Sequence, residues 1–411
     1  MIGAMYTGIS GLNANATAMS VVGDNISNVN TVGFKSSRAS FANILSKSVV
    51  GSTKQEIGMG TRFWATDPSW AQGSFENTGS PTDLAINGKG LFVLKDSAGA
   101  SFYTRAGNFN FNKDGDLVNT DNLVVQGYPI DDSGRLGVLA NVNVAATSTS
   151  PASASTQMTL GANLDSNAAV SDTYSVALNV YDSLGTAIPL NVEFTKAAYN
   201  TWDWSATVPT SFVGSGNEEV GTGQLIFAND GSLSSNSGST TNPSISIPLI
   251  NGATTPLNIT WNMFDAGGAS SGGLTQYSSD FAYTFKSQDG YTSGVLKEIS
   301  TDADGIVSGS YSNGEHVPLY QLALADFPSY YGLTKLADTL YQESTASGQP
   351  VLGTAGRGTL GVVVPAALEM SNVDLAEEFV KLITTQRAFQ ANSKVITTSD
   401  EMLGDLISIK R

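Results

Sequence analysis

The sequence predicts a mainly β protein with long terminal α-helices. The N- and C-terminal helices are expected to pair as a coiled coil, and one of two β-rich domains is expected to be inserted in the other. Apolar or small residues recur in steps of four and three near both ends. Short alternating runs broken by turn pairs fill the middle, and the composition changes after Arg135. A heptad seam needs a partner helix along its length, so two seams at opposite ends most simply satisfy each other.

The N-terminal helix is predicted over residues 1–30, ending in an Asn-rich stop. No charged residue precedes Asp24, although a solvated helix surface is normally about a quarter to a third charged. We therefore expect this helix to be surrounded by other protein in an assembly. Its seam, and with it the first set of predicted assembly residues, is Met5, Ile9, Leu12, Ala16, Met19, Gly23 and Ile26.

The final helix is predicted over residues 372–408, with Ser371-x-x-Asp374 as a capping-box variant before it. At ~1.5 Å per residue it would be about 55 Å long, which is too long for an isolated globular helix. Its seam gives the second set of predicted assembly residues, which are Leu375, Phe379, Leu382, Phe389, Ile396, Leu403 and Ile407.

Between the helices the pattern predicts two β-domains. Runs such as Leu91–Leu94 alternate between turn signals such as Asp114-Gly115 and Asp304-Gly305. Lys196 is the one basic residue between residues 136 and 285, which sets that stretch apart. The predicted domains are a terminal coiled-coil domain with an extended linker (1–71 and 362–411), a first β-domain (72–144 and 287–361) and an inserted β-domain (145–286).

Composition excludes several functions. A formal net charge of −16 argues against a basic surface for nucleic acid. The absence of cysteine removes disulfides, thiolate nucleophiles and Cys-based metal sites, and it suits a chain that stays uncrosslinked before export. Neither a cleavable signal peptide nor a membrane-spanning apolar run is recognisable, so export without a cleaved leader is expected.

Candidate catalytic and metal sites are few. His316 is the single histidine, so a triad or metal site would depend on one residue in a predicted turn. The run Asn110-x-Asn112-x-Asp114-Gly115, with Asp121 in twelfth place, partly imitates a calcium loop. It lacks the bidentate Glu and the flanking helices, so a plain turn is favoured. We expect no catalytic residue, no metal site and no cofactor.

Several motifs resemble those of the bacterial flagellar rod and hook protein family. They lie in Val21–Lys35, in Ala367–Leu375 with the pair after Thr385, and in Asp83–Phe92 and Tyr103–Phe109. The length, the insertion after Arg135 and the Gly-rich run at 353–358 resemble the hook branch of the family. The residues of the terminal motifs are Asn25, Asn28, Asn30, Gly33, Phe34, Lys35, Ser371, Asn372, Asp374, Gln386 and Arg387.

The resemblance implies a structural subunit that is exported unfolded by the flagellar type III apparatus. It would polymerise outside the cell into a curved, flexible tube, a universal joint that transmits torque from rod to filament. Other copies of the chain, the flagellar rod protein, the hook cap and the hook–filament junction proteins are the implied partners, without nucleic acid or membrane insertion. The alternatives are a distal-rod or hook-like paralogue, a secreted β-rich adhesin or phage-tail-like protein, and a secreted hydrolase. The last two leave the matched terminal helices unexplained.

Overall fold

A computed structural model describes residues 2–44, 47–48, 56–131, 133–144, 149–214, 216 and 218–409. The chain divides into two compact units. Unit one is Met1–Ala146, Glu298–Ser310 and His316–Arg411, and unit two is Thr147–Lys297 and Tyr311–Glu315. The helices thus lie in the same unit as the β-structure next to them, and a separate terminal domain stays a prediction.

Three α-helices and one 3₁₀ turn (Tyr330–Gly332) are present in the described residues. Helix α1 spans Ile2–Ser27, α2 spans Thr210–Val213 and α3 spans Leu375–Ile409. The predicted final helix began three residues too early, because the cap is Asp374: its Oδ1 accepts the N–H groups of Ala376 and Glu377 at 2.8 and 3.2 Å. In the described part of the chain, no helix combines the length and the apolar character needed to cross a membrane.

The strands of the first part of the chain are β1 (Ser37–Asn43), β2 (Lys47–Ser48), β3 (Glu56–Ile57), β4 (Thr61–Pro68), β5 (Phe75–Asn77), β6 (Leu84–Asn87), β7 (Leu91–Lys95), β8 (Ser101–Thr104), β9 (Asn110–Phe111), β10 (Leu117–Val118), β11 (Val124–Pro129) and β12 (Ala140–Asn141). Those of the middle are β13 (Thr149–Ser150), β14 (Gln157–Asn163), β15 (Thr173–Tyr181), β16 (Ala187–Ala198), β17 (Thr201–Thr207), β18 (Glu219–Phe227), β19 (Leu233–Asn236), β20 (Ser244–Ile247), β21 (Leu257–Trp261), β22 (Leu274–Thr275) and β23 (Ala282–Gln288). The last are β24 (Gly294–Thr301), β25 (Ile306–Tyr311), β26 (His316–Asp326), β27 (Thr334–Lys335), β28 (Leu340–Gln342), β29 (Val351–Thr354), β30 (Val362–Pro365) and β31 (Ala367–Glu369).

Unit one is built on a sheet in the order β25-β26-β11-β7-β8-β28-β27. Chain segments far apart in sequence therefore pair, as when Gly127 of β11 lies opposite Leu322 of β26. Phe92 and Phe109, both fully buried, meet edge to face in its core with ring centroids 5.2 Å apart. The predicted turns at Gly115 and Gly305 both have positive φ, as tight hairpins require.

The linker after α1 was predicted only as extended, and part of it forms an antiparallel hairpin. Strands β1 and β4 pair from Ser37 opposite Pro68 to Asn43 opposite Thr61. Before α3 the returning chain forms two short strands, and each pairs with a strand near the linker: β30 with β6 and β31 with β5. The returning chain is thereby held to the β-structure of unit one before the last helix begins.

Unit two is a β-sandwich. Strands β15 to β19 form a five-stranded antiparallel meander, and a second sheet has the order β20-β21-β14-β22 with β23 on β14. Both sheets contribute to one apolar core that contains Trp202, Trp204 and Trp261. Burial alternates along β16, as expected for a strand with one face in a core.

Candidate functional site: the terminal helix pair and its junction

Helices α1 and α3 run antiparallel and approach closely through small residues of α1. A Cβ on Gly8 would lie 2.9 Å from Ile396 Cγ1, and one on Gly11 would lie 2.7 Å from the Asn392 amide. At the other end, Asn25 Nδ2 donates to Glu378 Oε2 at 3.2 Å. The two helices can come this close because glycine has no side chain. The buried face of α1 consists of Gly8, Gly11, Ala14, Ala18, Val22 and Asn25.

This buried face is not the predicted seam of α1. Ile9 is 43% exposed and Ala16 is exposed. The other members of that seam are only half-buried: Met5, Leu12, Met19, Gly23 and Ile26. The heptad pattern selected one stripe of α1, whereas α3 packs on the adjacent stripe, which begins with Gly8 and Gly11. The participation of the predicted seam in assembly stays a prediction.

The predicted seam of α3 divides into two sets. Ile396 packs on Gly8, and Leu382 and Leu403 are half-buried. The other members are exposed, namely Leu375 (40%), Phe379 (51%), Phe389 (38%) and Ile407 (67%). Leu375, Phe379 and Ile383 (55% exposed) follow at four-residue spacing and so share one helix face. These three residues are called the exposed stripe below.

A buried carboxylate lies where the two ends of the chain meet the β-structure. Glu369 is 0% exposed and accepts from Lys35 Nζ at 2.7 Å and from Arg105 Nε at 2.6 Å. Its Oε1 also accepts the backbone N–H of Gly73 at 3.0 Å. Lys35 Nζ has a second acceptor in the carbonyl of Ala71 at 2.8 Å. These contacts, called the Glu369 cluster below, join four separate segments of unit one.

Lys35 is a fully buried cation held by this cluster. Burial lowers the pKa of its ammonium from the ordinary value, the nearby Glu369 carboxylate opposes that shift, and Arg105 adds to it. A buried ammonium is costly unless it is paired and hydrogen-bonded. Lys35 therefore depends on Glu369 for its place in the fold.

The polar motif residues fix the backbone around the cluster. Asn25 exchanges two hydrogen bonds with the backbone of Ser37, at 2.8 and 2.9 Å. Asn372 Oδ1 accepts the N–H of Ser36 at 2.7 Å, and its Nδ2 donates to the carbonyls of Ser69 and Ala71. These side chains fasten the linker to both helices.

Gly33 and Phe34 belong to the same junction. Gly33 has φ +69°, and a Cβ there would lie 2.5 Å from the backbone N of Ala106, so only glycine fits. Its N–H donates to the carbonyl of Glu369 at 2.7 Å. Phe34 is buried, and the ammonium of Lys335 lies 4.4 Å from its ring centroid.

The remaining motif residues have other places. Asn28 closes the end of α1 by donating to the carbonyl of Asp24 at 2.9 Å, and Ser371 is buried beside the cap of α3. Asn30, Gln386 and Arg387 are exposed.

Glu369 and Arg105 were not predicted as site residues, although both lie in motifs that carry the family resemblance. The stripe of small residues in α1 could have predicted the face that packs on α3. No spacing in the sequence predicts the contact between Arg105 and Glu369.

The other candidates take ordinary structural positions. Asn112 Oδ1 accepts the N–H groups of Asp114 and Asp116, both at 2.9 Å, which builds the turn between β9 and β10. His316 is exposed and begins strand β26, just after a turn and not within one. Among the described residues, no group of three or more His, Cys, Asp or Glu could hold a metal ion.

Family models match four parts of the chain. The model for the flagella basal body rod protein matches residues 5–35, and the flagellar hook protein FlgE/F/G D1 domain matches 85–163. The flagellar basal body protein FlaE D2 domain matches 143–291, and the flagellar basal body rod FlgEFG protein C-terminal model matches 364–409.

Relatives match over the whole chain. The flagellar hook protein FlgE of Borreliella burgdorferi is 32% identical, with 100% of both chains covered. That of Salmonella typhimurium is 33% identical, with 98% of both covered. Among solved structures, Helicobacter pylori flagellar hook protein FlgE2 superposes with a TM-score of 0.53 at 15% identity, covering 72% of this chain and 100% of that one. That likeness concerns the fold alone.

Proposed function

Because this chain belongs to the flagellar hook protein family and is a structural subunit of the hook, we propose that its paired terminal helices form the wall of a tube by packing against other copies of the same chain. The exposed stripe of α3 carries this proposal. Each of its three side chains is 40–55% exposed although all are large and apolar. If this face of α3 stayed exposed to water, the protein would forgo the free energy that burying each of these side chains provides.

Helix α1 supports the same arrangement from the other side of the pair. Its one acidic residue, Asp24, lies at the end, and Tyr6 (64% exposed) and Ile9 turn away from α3. A surface so poor in charge is unusual for a helix facing solvent. The two outward faces, one on each helix, give every subunit two apolar surfaces for its neighbours. We take the predicted seam residues that α3 does not cover as part of these contacts.

The proposed tube combines a stiff part with a part that adapts as it turns. The helices give a torsionally stiff inner wall, while unit two, with its low charge and many loops, makes smaller contacts that change as the tube turns. Such a tube bends and still transmits torque from rod to filament as a universal joint. We propose the flagellar rod protein, the hook cap and the hook–filament junction proteins as its partners. We also propose export by the type III apparatus and assembly outside the cell.

A charge in the exposed stripe tests the proposal. We expect Phe379→Asp to abolish hooks in cells, because burial of an unpaired carboxylate between subunits costs several kcal/mol. The melting temperature of the purified subunit should not change, since Phe379 is half exposed within the chain. Hooks are counted by electron microscopy of cells, and melting is followed by calorimetry.

The matched control is Thr384→Asp, which places the same charge at an exposed position off the stripe. It should weaken assembly far less. Normal hooks from Phe379→Asp, or equal loss from both variants, would contradict packing through the stripe.

A further inference from the structure

The first strand of the meander in unit two has a free edge. In the described part of unit two, β15 pairs with β16 along its nine residues and with no other strand. Main-chain N–H and C=O groups point alternately to the two sides of a strand. Tyr181 exchanges two hydrogen bonds with Ser155, both at 2.9 Å. The Ala177 carbonyl accepts from Lys286 Nζ at 2.7 Å. Neither partner belongs to β16, so the odd-numbered residues of β15 direct their main-chain groups to the free edge.

This edge is complementary to a second copy of itself. Two β15 strands could lie antiparallel about a twofold axis at Ala177, so that each Ala177 would face its counterpart. Ser175 would then face Asn179, and both are polar and exposed. Val176 would face Leu178, and both are apolar and buried. Hydrogen bonds would form across the axis, because the odd-numbered residues point their main-chain groups outward. An unpaired edge of this kind is a template for another strand.

Lys286 lies at the centre of this edge. It belongs to β23, at the edge of the second sheet, where it lies opposite the buried Leu160 of β14. Residues opposite each other in an antiparallel pair share a face of the sheet, so Lys286 is a charge on the core-facing side of an edge strand. Its ammonium binds the Ala177 carbonyl and lies 5.6 Å from the ring centroid of Tyr283. Inward-pointing charges are one means by which proteins keep sheet edges unpaired.

We propose that Lys286 prevents unit two from pairing through β15 with the β15 of a second copy. The second strand would bring its own N–H to the Ala177 carbonyl, so the ammonium would have to move aside. Because Ala177 lies on the twofold axis, the two Lys286 ammonium groups would also meet there, and like charges at an interface oppose association. A twofold pair is closed and would withdraw subunits from a growing polymer. The inference concerns unit two alone and does not rest on the proposed packing of the helices.

Sedimentation of the full-length purified subunit over a range of concentrations tests this role. Lys286→Met removes the charge and keeps the length of the side chain. We expect it to strengthen self-association by about tenfold or more relative to wild type. Lys286→Gln is also neutral but polar, and it should act alike, which separates the loss of charge from added apolar surface. Lys286→Arg keeps the charge and should associate as wild type does.

Two further variants test the location. Ala177→Pro in the Lys286→Met background removes the outward N–H at the centre of the edge. Proline is tolerated on edge strands, so the double variant should fold and should return to wild-type association. Lys297→Met removes the same charge at another exposed position of unit two and should leave association unchanged.

Three results would overturn the proposal. The first is that neither neutral variant of Lys286 associates more strongly than wild type. The second is that Lys297→Met associates as strongly as Lys286→Met. The third is that the double variant stays associated. Circular dichroism that matches wild type shows that each variant is folded.

Discussion

At the scale of single residues, Asn25 shows how one side chain joins three segments. Both polar atoms of its amide are used, by Ser37 on the linker and by Glu378 on α3. The residue is 1% exposed, so no water replaces a lost partner. We expect Asn25→Asp to remove the donor and to set a second carboxylate against Glu378. The cost should be at least about 2 kcal/mol.

The measurement is exchange of the Ser37 amide in the purified subunit, which should speed up about 30-fold for that loss. Asn13→Asp is the control, since Asn13 is exposed on the same helix and should change stability by less than about 0.5 kcal/mol. Equal exchange in both variants would mean that the Asn25 amide does not hold the linker.

At the scale of elements, the pairing of α1 with α3 rests on closely approaching backbones. The chain has no cysteine, so an introduced pair reports on this contact without a competing thiol. The Cβ position of Gly8 lies 2.9 Å from Ile396 Cγ1. The Sγ of a cysteine at position 396 can take the place of Ile396 Cγ1, and a disulfide needs its two Cβ atoms about 3.5–4.5 Å apart, so Gly8→Cys with Ile396→Cys should close after small adjustments. In isolated hooks we expect the bond to form within each chain and not between chains.

Non-reducing gel electrophoresis of dissociated hooks separates the two cases. A bond within one chain leaves a single monomer band of changed mobility, whereas bonds between chains give a ladder of multimers. The control pair, Gly23→Cys with Ile396→Cys, should give neither product, because α1 places Gly23 four turns from that contact. A ladder from the first pair would show that α1 packs on the α3 of a neighbour.

At the scale of the whole molecule, unit two has its own core and its own two sheets. The chain enters unit two after residue 146 and returns to unit one at residue 298, and the short segment Tyr311–Glu315 also belongs to unit two. Joining Val144 to Glu298 through a short Gly/Ser linker should therefore still give tubes, because the helices and the β-structure of unit one hold the lattice. We expect those tubes to bend differently from wild type and swimming to decline.

Electron microscopy of isolated hooks and swimming assays on the same cells provide the two measurements. A matched strain with the linker inserted after Val144, and with unit two retained, controls for the linker itself. If the deletion stopped polymerisation while the secreted chain stayed folded, unit two would be part of the lattice. The proposed division of roles between the helices and unit two would then be wrong.

The sequence by itself determined the fold class and the terminal helices. Periodic apolar residues need a buried face, and alternating runs between turn residues need a sheet, so local patterns were enough for both. It also placed the strand around Leu91 and the turns at Gly115 and Gly305, where a positive φ favours glycine. The terminal motifs carried the family resemblance, which the relatives confirmed.

Only the tertiary structure decided which faces those elements bury. The heptad pattern selected the stripe that contains Leu12 and Met19, but α3 packs on the neighbouring stripe that contains Gly8 and Gly11, where missing side chains allow the backbones to approach. In the same way, 264 residues separate Arg105 from Glu369, and no local pattern pairs them. The Glu369 carboxylate has no access to water, so nearby cations must compensate its charge. Those cations come from distant parts of the sequence, and only the complete fold brings them next to Glu369.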